Sequence, residues 1–230
     1  MKKTLSHSSV PKIVILAFII ISSTPFYSSA QSPAIKPAME KLKAGIQFEN
    51  NGQYHKAIKN YQQALALFRK LRTGDAIAVS LKRIGDVYHA LGQYEKSIEN
   101  YQQALTLFRK LGIEDAIVIT LNNIGTVYHL LGQYEKSIEN YQQALTLFRK
   151  LGKEDQVAAS LQNIGMVYDF RGQYGKAMEK FQEALVIARK LGQEDEIALS
   201  LDKIGTVYNY WGQYDKAIKN YQQALTLFRK

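Results

Sequence analysis

The 230-residue chain contains no cysteine. Disulfides, thiolate metal sites, a cysteine nucleophile and a lipid-modified cysteine are all excluded, so stability has to come from packing. Proline is nearly as scarce: all four lie within the first 37 residues, leaving glycine as the breaker for the rest of the chain. That balance, with Ala, Leu, Ile, Tyr, Gln and Lys dominant, predicts a nearly all-helical protein. Catalytic signatures are missing too. The sequence holds no HExxH, Walker loop, GxSxG or GxGxxG. Its four histidines are His7, His55, His89 and His129.

A long apolar run occurs once. Lys2, Lys3 and Lys12 precede Ile13–Ile21, which is shorter than the ~20 residues that span a bilayer. Ser28-Ser29-Ala30 then supplies small residues before Gln31. This order predicts a secretory signal peptide over 1–30, cleavage after Ala30 and export to the periplasm or the extracellular space. A retained anchor is the alternative. Thirty Lys and Arg against 20 Asp and Glu give a net charge of +10. Loss of the three signal lysines lowers it to +7, still basic.

The rest is repetitive. Tyr61-Gln62-Gln63-Ala64-Leu65 returns at Tyr101, Tyr141 and Tyr221, and as Phe181-Gln182-Glu183-Ala184-Leu185, each 40 residues on. Leu91–Gly112 is identical to Leu131–Gly152. Each copy carries two amphipathic helical patterns: Leu81, Ile84 and Tyr88 share one face, and Ile98, Tyr101, Leu105 and Phe108 another. Acidic residues (Asp75, Glu114, Asp115, Glu154, Asp155, Glu194, Asp195) start first helices, and Arg-Lys pairs end second helices, complementing the helix dipoles. The pattern predicts a linker over 31–37 and an array over 38–230, with repeats near 34–71, 75–111, 114–151, 154–191 and 194–230. A two-helix unit cannot bury its apolar face alone, so successive copies are expected to stack as a solenoid. Gly85, Gly125, Gly165 and Gly205 sit inside first helices at ~1 kcal/mol each. Close approach to Ala104, Ala144, Ala184 and Ala224 is the expected reason.

The same residues resemble the tetratricopeptide repeat family. Its pattern is matched by Leu201, Ile204-Gly205, Tyr208, Gly212 with Tyr214, Ala217, Tyr221 and Ala224. The first copy is weaker, with Lys41, Ala44-Gly45 and Phe48. The 40-residue period and the lack of a proline closing the second helix resemble the long-helix subgroup of kinesin light chains, bacterial Rap-like pheromone regulators and arrays that precede CHAT domains. The resemblance implies an all-α, right-handed α-solenoid of five helix-turn-helix repeats. It also implies a non-catalytic scaffold that binds an extended peptide or partner protein in a groove lined by first helices. The sensory portion of a larger enzyme, such as a CHAT-type protease, is the alternative.

Across that groove the columns run from basic Lys82 and Arg83, through the amides Asn122, Asn123, Gln162 and Asn163, to Met166, Phe170 and Tyr210. An amide both donates to a peptide carbonyl and accepts from a peptide N–H, so such a row suits an extended backbone. In peptide-binding relatives an Asn at the phase of Asn123 and Asn163 has that role. The carboxylate clamp of some relatives is broken, with Asp86 and Ala159 at its positions. The partner expected is therefore a protein or an extended peptide, with an acidic end followed by apolar side chains. Nucleic acid is not expected, because dipole compensation explains the Arg-Lys stripe. No stable membrane insertion is expected after signal cleavage. No cofactor is expected, and no metal either, since His89 and His129 make only two ligands of one column. The last helix repeats an interior sequence at Tyr221–Lys230, so part of its apolar face is expected to be bare. Either the natural chain continues past Lys230, the reading slightly favoured, or this face docks on a partner or on a second copy of the chain.

Overall fold

The computed structural model describes residues 33–229. Among them the chain is helix and turn, with ten α-helices and no strand. In chain order these are α1 (Lys36–Asn50), α2 (Tyr54–Leu71), α3 (Gly74–Ala90), α4 (Tyr94–Leu111), α5 (Glu114–Leu130), α6 (Tyr134–Lys150), α7 (Glu154–Phe170), α8 (Tyr174–Leu191), α9 (Glu194–Tyr210) and α10 (Tyr214–Phe228). Odd-numbered helices are the first of each pair and even-numbered the second. The chain divides into two compact units within α3, after Ser80. The signal peptide expected over 1–30 and Lys230 lie outside the described residues.

Two glycine turns punctuate the repeat. Between first and second helices, Gly52, Gly92, Gly132, Gly172 and Gly212 take φ near +69°, the left-handed region that closes a helix. There the Gly132 N–H donates to the His129 carbonyl at 2.9 Å, and the Gln133 N–H to the Tyr128 carbonyl at 2.9 Å. Between one pair and the next, Gly112, Gly152 and Gly192 do the same, but Arg72 occupies that place in the first copy with φ 55°. After each first turn a lysine lies over an aromatic ring of the preceding helix. The pairs are Lys56 on Phe48, Lys96 on Tyr88, Lys136 on Tyr128, Lys176 on Tyr168 and Lys216 on Tyr208, at 5.3 to 5.5 Å. Each contributes about 0.5–1 kcal/mol at an exposed site.

Packing within a pair differs from the sequence expectation. A Cβ added at Gly85, Gly125, Gly165 or Gly205 would meet an aromatic ring of the second helix, not an alanine. It would lie 2.7 Å from Tyr101, 2.9 Å from Tyr141, 2.6 Å from Phe181 and 2.8 Å from Tyr221. The missing side chain is room for a flat ring, and the alanines fill neighbouring contacts. The ring then reaches a partner on the first helix. Tyr101 Oη donates to Asp86 Oδ1 at 2.8 Å, Tyr141 Oη bonds Thr126 Oγ1 at 2.9 Å, and Tyr221 Oη donates to Thr206 Oγ1 at 3.3 Å. Where Phe181 has no hydroxyl, the position of Asp86 and Thr126 is Met166, packed against the Phe181 cluster.

In the unit from Leu81 onward, one core joins Tyr101, Leu105, Leu121, Ile124, Tyr141, Leu145, Phe148, Leu161 and Ile164. A second joins Met178, Phe181, Leu185, Leu201 and Ile204. In the unit ending at Ser80, Leu42, Tyr61, Leu65 and Phe68 are buried, and Tyr61 Oη donates to Glu49 Oε2. The Arg-Lys ends are partly paired: Lys150 meets Glu114 at 2.8 Å and Lys190 meets Glu154 at 2.7 Å. Such exposed pairs contribute about 0–1 kcal/mol each.

Candidate functional site

First helices of the unit from Leu81 lie side by side. Side-chain bonds join α3 to α5 and α7 to α9: Asn123 Nδ2 donates to Asp86 Oδ1 at 3.2 Å, and Gln162 Nε2 to Ser200 Oγ at 3.0 Å. The columns named from sequence fall on this common face, but their members differ in availability.

Lys82 and Arg83 share one carboxylate. Lys82 Nζ is 2.9 Å from Asp86 Oδ2, and the Arg83 guanidinium is 4.0 Å from it. Asp86 also accepts from Tyr101 and Asn123, so the basic end of the expected groove is a shared, half-buried cluster. Burial, and then the negative charge of Asp86, push the Tyr101 hydroxyl well above the usual phenol range. It stays a donor at any physiological pH.

The amide row is split. Gln162 is buried at 5% exposure and bonds Ser200 and the Glu196 carbonyl, so it ties α7 to α9 and does not face a ligand. This corrects the expectation from its column. Asn123 is committed in part, to Asp86 and, at 3.4 Å, to the Tyr101 hydroxyl. Asn122 is half-buried, with Oδ1 inaccessible and unbonded. Asn163 is half-buried and its amide makes no side-chain hydrogen bond within the described residues. Met166 belongs to Phe181 more than to the surface. Of the four amides, Gln162 is withdrawn, Asn123 is partly committed, Asn122 has its oxygen buried, and Asn163 is the one with neither constraint.

The apolar end is different. Leu130, Phe170 and Tyr210, one repeat apart at the same phase, are 50%, 66% and 56% exposed. Phe170 stands edge-on to His129 with centroids 4.8 Å apart, and Tyr210 stacks on Tyr174 at 4.7 Å. Trp211 adds a further partly bare ring, packed against Tyr208. Sequence columns included Phe170 and Tyr210, but Tyr174, on a second helix, was missed. Its place beside Tyr210 follows only from the turn. Burial lowers the His129 imidazole below its ordinary value and raises the Asp169 carboxyl, the latter partly offset by Lys203. His89 packs on Tyr94 and His129 on Tyr134. Among the described residues no group of three or more His, Asp or Glu converges as for a metal.

Helix pairs in a 40-residue register, a glycine that admits a ring, and a lysine over a ring at the turn all recur along this chain. The tetratricopeptide repeat pattern matches residues 39–110, 116–190 and 172–230. The chain is a tetratricopeptide repeat protein. Its fold is all-α, an α-solenoid of tandem helix pairs, as in solved relatives. BtubC (BKLC) from P. vanneervenii superposes with a TM-score of 0.77 at 21% identity, covering 97% of this chain and 92% of that one. The Podosopora anserina putative kinesin light chain with nearly identical TPR-like repeats gives 0.72 at 20% identity, over 85% and 97%. The apo form of RapI gives 0.78 at 19% identity, over 93% of this chain and 59% of that one. No curated protein matches this tetratricopeptide repeat chain.

Proposed function

We propose that this tetratricopeptide repeat protein is a non-catalytic scaffold that holds a protein partner through an extended segment laid along its first helices. The observation that carries this reading is the exposed column Leu130, Phe170, Tyr210, with the uncommitted Asn163 amide beside it. Exposed large apolar groups next to polar ones that still have donors and acceptors mark contact surfaces. A Rap protein of the same fold was solved in complex with competence and sporulation factor; it has a TM-score of 0.64 at 19% identity, over 93% of this chain and 61% of that one. That likeness supports a binding role for the fold. In this chain apolar side chains of the ligand supply the energy, and Asn163 fixes its backbone. The acidic preference expected at Lys82 and Arg83 is reduced, because Asp86 offsets one of the two charges.

The test is selection from a random peptide display library, followed by affinity measurements on the enriched peptides. Phe170→Ala and Tyr210→Ala should each weaken them by about tenfold or more, as for aromatic hot spots. Asn163→Ala should cost about 1 kcal/mol, one hydrogen bond. Val186→Ala, on an exposed second-helix face, should leave affinity unchanged. Peptides insensitive to all three groove substitutions would place binding elsewhere.

A further inference from the structure

Residues Tyr221–Arg229, from α10 to its C-cap, are identical to Tyr101–Arg109 and Tyr141–Arg149. One sequence therefore stands in two environments. Leu105 and Leu145 are 7% and 2% exposed, whereas Leu225 is 47% exposed. Phe108 and Phe148 are 1% and 7% exposed, whereas Phe228 is 57% exposed. Tyr214 and Ile218 are also bare, at 63% and 53%. In the interior copies α5 and α7 cover these positions.

The bare side chains are Tyr214, Ile218, Leu225 and Phe228, and with the half-buried Tyr221 between them they are spaced alternately four and three residues apart. That is the seam by which two helices interlock knobs into holes. The opposite flank, Ala217 and Ala224, is buried. The outer flank reads Asp215, Gln222, Arg229, acidic at one end, neutral in the middle and basic at the other. Such a flank is complementary to itself only when run antiparallel.

We propose that α10 pairs with α10 of a second copy of this chain about a two-fold axis. Asp215 then faces Arg229 of the partner subunit, and Gln222 lies against Gln222 of the partner subunit. A two-fold contact closes on itself, so the assembly stops at a dimer. The peptide-binding column is on first helices and does not enter the seam.

The test uses the full chain, whose lack of cysteine makes crosslinking specific. Sedimentation from nanomolar to high-micromolar concentration should show a monomer–dimer equilibrium. Leu225→Glu should weaken it by about a hundredfold or more, as for a central interface side chain. Val186→Glu, equally exposed but on another helix, should leave it unchanged, and both variants should keep the wild-type circular dichroism. Gln222→Cys should oxidise to a disulfide-linked dimer. Asp215→Arg and Arg229→Asp should each weaken the dimer, and together restore it. Three results would overturn the proposal: a monomer at all concentrations, whether its last helix is covered by further chain or left bare; open-ended oligomers without a Gln222→Cys crosslink; or a dimer indifferent to Leu225→Glu.

Discussion

At the scale of single residues, glycines that look alike in sequence do opposite things. Gly165 is a slot for the Phe181 ring, with an added Cβ at 2.6 Å, whereas Gly175 in the first turn of α8 meets nothing within 4 Å. Gly165→Ala should therefore destabilise the protein by about 1–3 kcal/mol through overpacking, despite its better helix propensity. Gly175→Ala should stabilise it by up to about 1 kcal/mol. Arg72, left-handed where later copies have glycine, should do better as Arg72→Gly, by about 1 kcal/mol. Urea titrations of the three variants, read for midpoint at constant slope, check these signs. His129 carries a pH dependence. Burial lowers its folded-state pKa, so the unfolded chain, with an ordinary value near ~6.5, binds the proton first as pH falls. Stability should thus decline as pH drops through that value. Asp169 acts in the opposite sense at lower pH, since its raised carboxyl takes up a proton first in the folded chain. Melting temperatures measured from about pH 7.5 to about pH 5.5 should fall for wild type and flatten for His129→Phe. An unchanged slope in that variant would assign the effect to another group.

At the scale of helices, identical sequence does not confer identical stability. α6 contributes Tyr141, Leu145 and Phe148 to a continuous core, while in α10 the equivalent Leu225 and Phe228 are exposed. Helices draw most of their stability from packing of the apolar face, not from propensity. Amide exchange in Tyr221–Phe228 should therefore be faster than in Tyr141–Phe148 when the chain is dilute. The gap should narrow as concentration rises and α10 finds its partner. Equal protection in the two segments at nanomolar concentration would show that α10 is already covered. The pairing of ring and first-helix residue belongs to this scale as well. Tyr meets Asp86, Thr126 or Thr206, and Phe meets Met166. The two helices of a pair are matched by chemistry, so Met166→Thr alone should leave a hydroxyl without the Tyr partner found elsewhere.

At the scale of the whole molecule, we propose export, carried by Lys2, Lys3 and Lys12, the apolar run to Ile21 and the small residues ending at Ala30. Protein recovered outside the cytoplasm should begin at Gln31 on N-terminal sequencing. Intact chain found only in the membrane fraction would favour an anchor, and a wholly cytosolic chain would contradict both. Among the described residues no helix is long and apolar enough to cross a membrane. Exposed apolar side chains thus stand in two separate places, Phe170 and Tyr210 on first helices and Leu225 and Phe228 on the last helix.

Helix, turn and repeat were legible in the letters because each depends on neighbours a few residues away. The 3.6 period, the glycine turns and the 40-residue recurrence are local signals. The family resemblance rested on the same residues. Which groove side chains are free was not legible. Gln162 and Asn163 are adjacent amides on one helix, yet one is buried against Ser200 and the other is open. That difference depends on how closely α9 approaches α7, a distance set by packing between repeats. Lys82 and Arg83 read as a basic patch until the fold brings Tyr101 and Asn123 to the carboxylate they share. Burial and hydrogen-bond partners are properties of pairs of residues about 40 apart, and only the tertiary structure decides them.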